Sequence, residues 1–362
     1  MKNVRRIEAI FDFLRIVVAF LIAYGMVLLA LVFISKDPMQ AIYSFVAGPF
    51  TSLRRFGGII QKAVPLVFTG LGMCFMYSVN RFNVSGEGIF IMTACSTTYL
   101  ALAMEGLGLP KFVFIPLLLL FAAVLGGLLA TIPATINAKL GANIIVSSIM
   151  LNYILLFFTQ FVLTRLIRDT GVSYTASYEI PVNSRFSEWI PRSGIHTGLF
   201  VALLIYVVVV IIFSKTKFGF EMRTVGNNPA FSDNMGIKTI AVIILAQAIG
   251  GACAGMGGAL EQLAMNTRFQ WTELTNHGMN GVVVAVLAKK KPQYILLTAF
   301  LMAYIRQGAQ VVSSSTDIPA EFITLVQGVI IMMVAAEAFL AHTRNKIIYS
   351  GALQEQKKGG AK

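Results

Sequence analysis

Ten apolar stretches run through this 362-residue chain, at roughly 14–34, 57–79, 84–104, 112–136, 144–166, 195–214, 239–262, 279–288, 293–312 and 319–341. Most reach or approach the ~20 residues that a helix needs to cross a bilayer. Composition points the same way, with 57% hydrophobic and 12% charged residues. A soluble domain carries about 25% charged residues. Lipid accepts apolar side chains while intrahelical bonds satisfy the backbone, so helices are the natural solution. The expected fold is an all-α polytopic membrane protein of about ten transmembrane helices. A single transmembrane domain over 1–341 is followed by a polar tail, 342–362.

Charge supports an orientation. The net charge is +13. With the N-terminus inside, the cytoplasmic segments hold nearly twice as many Lys and Arg as the outer ones, as the positive-inside rule requires. Both termini are therefore expected in the cytoplasm. The same rule accounts for the basic balance without nucleic acid. The run Ile16–Ile34 lacks a small-x-small cleavage site and reads as an uncleaved first span. Stretch 279–288 is too short to cross alone and ends at Lys289-Lys-Lys-Pro292. It is expected to be a half-span completed by a broken segment over 272–277, which is tolerated only against protein or water.

Several polar groups interrupt the apolar stretches. Asn83, Ser85 and Glu87 open the third stretch. Charges at such depth usually face a cavity or a partner, and a carboxylate at a helix N-terminus is favoured by the dipole. Asn152, Gln247, Gln307, Gln310, Glu261 and Gln327 add amides and an acid to other stretches. Each amide alone suits interhelical bonding; together they suit a pathway for an uncharged polar solute. The pathway candidates are Asn83, Ser85, Glu87, Asn152, Gln247, Glu261 and Gln327. Gly251 and Gly255 stand four apart, as do Ala254 and Gly258, which permits close helix packing. The cysteines and histidines are scattered and offer no metal-ligand spacing. No catalytic motif, P-loop or cofactor fingerprint is present.

Two loops exceed what joining helices needs. The outer loop 168–194 carries Tyr174, Tyr178 and Trp189 and is either a surface lid or a landing place for an external partner. The inner loop 215–238 holds Gly219-Phe-Glu-Met-Arg223, which can form a short amphipathic helix. Gly226-Asn-Asn-Pro229 is expected to break it by turn chemistry, and Ala230–Asn234 to begin a second turn that ends at Gly236.

These blocks carry a resemblance. Phe82-Asn-Val-Ser-Gly-Glu-Gly88, Gly219 to Pro229 with Gly236-Ile237, the small-residue stretch Gly250 to Glu261, and Ile318-Pro-Ala-Glu-Phe322 with Gln327-Gly328 are similar to blocks of ABC importer permeases. That superfamily includes the ribose and branched-chain amino acid permeases. Ser148-Ile-Met-Leu-Asn-Tyr153 resembles its nucleoside-type branch, although Ile144 and Ile89 stand where that branch often has polar residues. The resemblance implies a multi-pass permease of the plasma (inner) membrane without its own catalytic site. It implies three partners: a cytoplasmic ABC ATPase, a second, related permease and an extracytoplasmic substrate-binding lipoprotein. It assigns Phe220, Glu221, Arg223, Gly226, Asn228, Pro229 and Gly236 to ATPase coupling. The implied solute is a nucleoside, with a simple sugar second. A self-contained secondary transporter remains the alternative, opposed by the lack of matching interrupted helices in the sequence. A lipid-acting enzyme would need ionisable residues clustered at one depth, and none is evident in the sequence.

Overall fold

The computed structural model describes residues 21–22, 24–319, 321–322, 324–326 and 328–329. Gln327, most of the tenth stretch, the tail 342–362 and the start of the first stretch lie outside the described residues. The chain divides into two units, 47–307 and 1–46 with 308–362.

The larger unit is helical, with two isolated β-bridges in its outer loop. Its long helices are α3 (Leu53–Ser78), α4 (Gly86–Ala103), α5 (Lys111–Leu140), α6 (Ile144–Arg165), α7 (Gly198–Lys215), α10 (Thr239–Met265) and the start of α12 (Ile295–Ser315). Between α7 and α10 lie the short α8 (Lys217–Asn227) and α9 (Pro229–Asn234), and α11 (His277–Leu287) precedes α12. The smaller unit holds α1 (Tyr24–Ile34) and α2 (Pro38–Val46). There Ser35 Oγ and the Lys36 N–H both donate to Asp317, each at 3.1 Å.

Among the described residues, six helices are long and apolar enough to cross a membrane: α3, α5, α6, α7, α10, and α12 with the turn before it. Burial separates interior from periphery. In α3 78% of the most apolar window is buried, against 22% in α7. Leu204, Val207 and Ile211 on α7, like Phe157 and Phe161 on α6, stay exposed, as side chains facing lipid would.

The centre is α10, whose small residues let backbones touch. A Cβ on Gly251 would stand 2.3 Å from the Ala130 Cβ and 2.4 Å from the Gly126 carbonyl oxygen; one on Gly255 would meet the Ala122 carbonyl oxygen at 2.4 Å. Gly258 turns to another neighbour, 2.2 Å from the Phe90 carbonyl oxygen by the same construction. Gly251 and Gly255 thus lie closely against α5, and Gly258 against α4. Apolar side chains fill around these contacts, with Val64, Phe68, Leu119, Ala202 and Leu260 in one cluster.

The outer loop is a folded cover. The N–H groups of Ser177, Ile180 and Phe186 donate to Phe269, Thr267 and Leu263 carbonyls at 2.9–3.0 Å, pinning the loop to the chain that leaves α10. Ile180 packs with Ala101, Phe114, Leu118 and Leu263. Arg268 pairs with Asp169 at 2.5 Å and with Glu179 at 3.4 Å. Tyr174, Tyr178 and Trp189 remain exposed on it.

Candidate functional site

The third apolar stretch begins inside the bundle. After Ser78 the chain turns at Asn80, whose φ is +53°, and re-enters the bundle. Gly86, the first residue of α4, comes within 4.0 Å of Ala254 by a constructed Cβ, beside the middle of the 27-residue α10. The re-entrant segment is held by the polar residues singled out above. Asn83 Nδ2 donates to Gln247 Oε1 at 3.0 Å, and Gln247 Nε2 donates to the Met76 carbonyl at 3.3 Å. Asn83 Oδ1 accepts the Ser85 N–H at 2.9 Å. Asn152 Oδ1 accepts the Gly88 N–H at 2.8 Å, and its Nδ2 donates to the Val84 carbonyl at 3.0 Å. Asn83, Ser85 and Gln247 are wholly buried. Non-helical backbone at depth needs such partners, because lipid offers none. Asn83, Asn152 and Gln247 thus serve the protein's own backbone.

Glu87 performs a second such task. Its Oε2 accepts the N–H of Gly278 at 2.6 Å and of Met279 at 3.2 Å, and its Oε1 accepts Thr275 Oγ1 at 3.2 Å. Gly278 and Met279 begin α11, whose own N-cap, Asn276, lies at φ +62° and makes no side-chain cap bond. A carboxylate from the first turn of α4 therefore caps α11, satisfying donors that a helix start leaves open. Glu87 sits at the positive ends of two short helices at once. Residues 272–276 are non-helical and α11 has 11 residues, as expected for a half-span with a broken lead-in. The expectation that no interrupted helices match across the chain is corrected: α4 and α11 both start inside the bundle and meet at Glu87.

Ionisable groups gather nearby, which corrects the expectation of no such cluster. His277 Nε2 and Glu261 Oε1 are 3.2 Å apart, and both side chains are largely buried. The His277 ring stacks on Phe90 with centroids 4.7 Å apart and planes at 18°. Arg306 on α12 lies within electrostatic reach of Glu261 and Glu87. Lys62 on α3 donates to Gln307 Oε1 at 2.5 Å. His277, Arg306 and Lys62 were missed as site residues. Their signal was present, since a charge inside an apolar stretch is costly and rarely idle.

The inner loop is built as two caps. Thr216 Oγ1 accepts the Gly219 N–H at 3.2 Å to start α8, and Asn228 Oδ1 accepts the Phe231 N–H at 3.0 Å to start α9, with Pro229 at its first position. The helix break falls at Asn228, inside the expected block Gly226-Asn-Asn-Pro229. Gly226 lies inside α8 because a Cβ there would stand 1.9 Å from the Ser78 carbonyl oxygen; the glycine seats α8 on the end of α3. Arg223 donates to the Phe213 carbonyl and lies over the Phe213 ring at 5.4 Å, closing the C-terminal end of α7. Glu221 pairs with Lys217 at 3.4 Å. Gly236, at φ +76°, ends the loop in open space. Phe220, Phe231 and Met235 are exposed.

Comparison with known proteins agrees with this architecture. Residues 56–335 match the family described as "Branched-chain amino acid transport system / permease component". The nucleoside ABC transporter permease protein NupB of Lactococcus lactis is 28% identical, over 94% of this chain and 96% of that protein. The guanosine ABC transporter permease protein NupP of Bacillus subtilis is 29% identical, over 84% and 88%. The glucose ABC transporter permease protein TsgB13 of Haloferax volcanii is 26% identical, over 88% and 86%. No solved structure matches. With a family match over most of its length and six apolar helices around a re-entrant polar core, the chain belongs to the permease components of branched-chain amino acid transport systems and is a multi-pass protein of the plasma membrane.

Proposed function

We infer that the chain is the transmembrane permease subunit of an ABC importer that carries a nucleoside, or next a simple sugar, into the cytoplasm. ATP hydrolysis belongs to a separate cytoplasmic subunit. The observation that carries this reading is the α8–α9 pair, seated on α3 through Gly226 and on α7 through Arg223. A push on such a rigid pair reaches two membrane helices at once. Phe220, Phe231 and Met235 offer an exposed apolar face for a groove on the ATPase. Glu221, Asn228, Pro229 and Gly236 shape that lever. Both termini lie in the cytoplasm under this reading, ten segments enter the bilayer, and a second permease and an external binding lipoprotein complete the assembly. The nucleoside assignment rests on similarity to the nucleoside permease NupB and the guanosine permease NupP and on the Ser148–Tyr153 block. In the pathway, Glu87 and Glu261 stand at the meeting of α4, α10 and α11, framed by Asn83, Ser85, Asn152 and Gln247, with Gln327 assigned from sequence.

Interrupted helices also occur in ion-driven transporters, and one assay separates the two readings. Proteoliposomes holding the assembled complex should take up labelled nucleoside only with ATP inside and only when the ATPase is present. Uptake by the isolated chain under an ion gradient alone would reject the importer reading.

A further inference from the structure

The Glu261–His277 pair keeps two atoms in reserve. Glu261 Oε2 and His277 Nδ1 are buried and have no hydrogen-bond partner. The two side chains are only 11% and 16% exposed. An unsatisfied buried polar atom costs about 1–3 kcal/mol, so one that persists asks for a reason. The surroundings are aromatic: His277 stacks on Phe90, and Phe90 stacks on Trp271 at 6.0 Å. Arg306, within electrostatic reach, has no carboxylate within 4.0 Å among the described residues.

We propose that Glu261, with His277 and Arg306, forms a recognition point inside the permease for a guanine-type base. The inference rests on the nucleoside reading and narrows it. An ionised carboxylate only accepts, and it holds best a ligand that offers two parallel N–H donors. Guanine places its ring N1–H beside its exocyclic amine. Adenine and cytosine set an amine beside a bare ring nitrogen, whose lone pair would face the carboxylate. Uracil offers one N–H between two carbonyls. The guanine carbonyl next to N1–H suits a guanidinium donor, the pairing Arg uses for guanine elsewhere. Oε2 is free at once, and Oε1 becomes free when His277 releases it. Trp271, partly exposed beside Phe90, offers a flat face to a planar ring.

Trp271 reports on this site directly, since the chain has two tryptophans and the other is Trp189. The full chain carrying Trp189→Phe, in lipid nanodiscs, is titrated with guanosine, adenosine and ribose while Trp271 emission is followed. Guanosine should change the emission with a Kd at least ~10-fold below that of adenosine, the scale of one good bidentate contact. Ribose should do nothing. Glu261→Gln, which turns one acceptor into a donor, should erase the gap while leaving the ligand-free emission and elution of the protein unchanged. An equal response to guanosine and adenosine overturns the proposal, as does a response to ribose alone, an absence of response, or a gap that survives Glu261→Gln. Nucleoside uptake by the complete ATP-driven assembly is read separately, so loss of this site and loss of the nucleoside reading are told apart.

Discussion

The Glu87 carboxylate caps the helix that starts at His277, with Oε2 2.6 Å from the nitrogen of Gly278, 191 positions further along the chain. One side chain thereby ties the first turn of α4 to the first turn of α11. Hydrogen bonds to a charged group contribute roughly 1.5–3 kcal/mol, and the donors at a buried helix start have no water to fall back on. Glu87→Ala should lower stability in detergent by ~2–3 kcal/mol, with Glu87→Gln costing less because it keeps one acceptor. Chemical denaturation of the two variants checks this; equal midpoints for wild type and Glu87→Ala would remove the capping role.

Gly226→Ala should uncouple the protein without unfolding it. The added methyl would stand 1.9 Å from the Ser78 carbonyl oxygen, so α8 must lift off α3. Insertion and elution should match wild type, while ATP-dependent uptake in the assembled transporter falls at least ~10-fold, the equivalent of about 1.4 kcal/mol lost in coupling. Wild-type uptake by this variant would mean that the close seat of α8 is not needed.

Gly251→Val tests the central packing. A Cβ there already meets Ala130 and Gly126 below 2.5 Å, and overpacking costs typically ~1–3 kcal/mol. Gly106, which has open space around its constructed Cβ, is the control. Gly106→Ala should leave the thermal midpoint within error and Gly251→Val should lower it; a null result for Gly251→Val would place the α5–α10 contact elsewhere.

The outer loop should loosen in acid. Its Asp169 carboxyl is held below the usual carboxylate range, first by the hydrogen bond from Arg268 and next by the Gly171 N–H. A depressed carboxyl lends stability above its ordinary range, and that stability is lost as pH falls through the lowered value. Protease nicking of 168–194 should therefore rise below about pH 4, the ordinary aspartate range. Asp169→Asn should nick more readily at neutral pH and lose most of that pH dependence. A pH profile identical in wild type and Asp169→Asn would exclude this pair as the latch.

Asn152→Leu should be costly despite its apolar replacement. The change strands the Gly88 N–H and the Val84 carbonyl, which Asn152 serves at 2.8 and 3.0 Å. Each stranded buried group costs about 1–3 kcal/mol. Denaturation should show a loss at the upper end of that range. Ser147, partly exposed on the same helix, is the comparison, and Ser147→Ala should be nearly silent.

Much of this protein could be read from residues alone. Apolar length located the long described helices to within a few residues, because a bilayer sets how long such a run must be. The small residues around Gly251 suggested close packing, and Gly226-Asn-Asn-Pro229 a helix break, because both signals act within one or two turns of chain. Tertiary structure decided where those pieces meet. It set Gly226 against Ser78, gave the amides of Asn83, Asn152 and Gln247 to a re-entrant backbone, and brought Glu87, Glu261, His277 and Arg306 together from four helices. Such contacts join residues that can be nearly two hundred positions apart, and an apolar run reads the same whether its helix begins at the membrane surface or at the centre of the bundle.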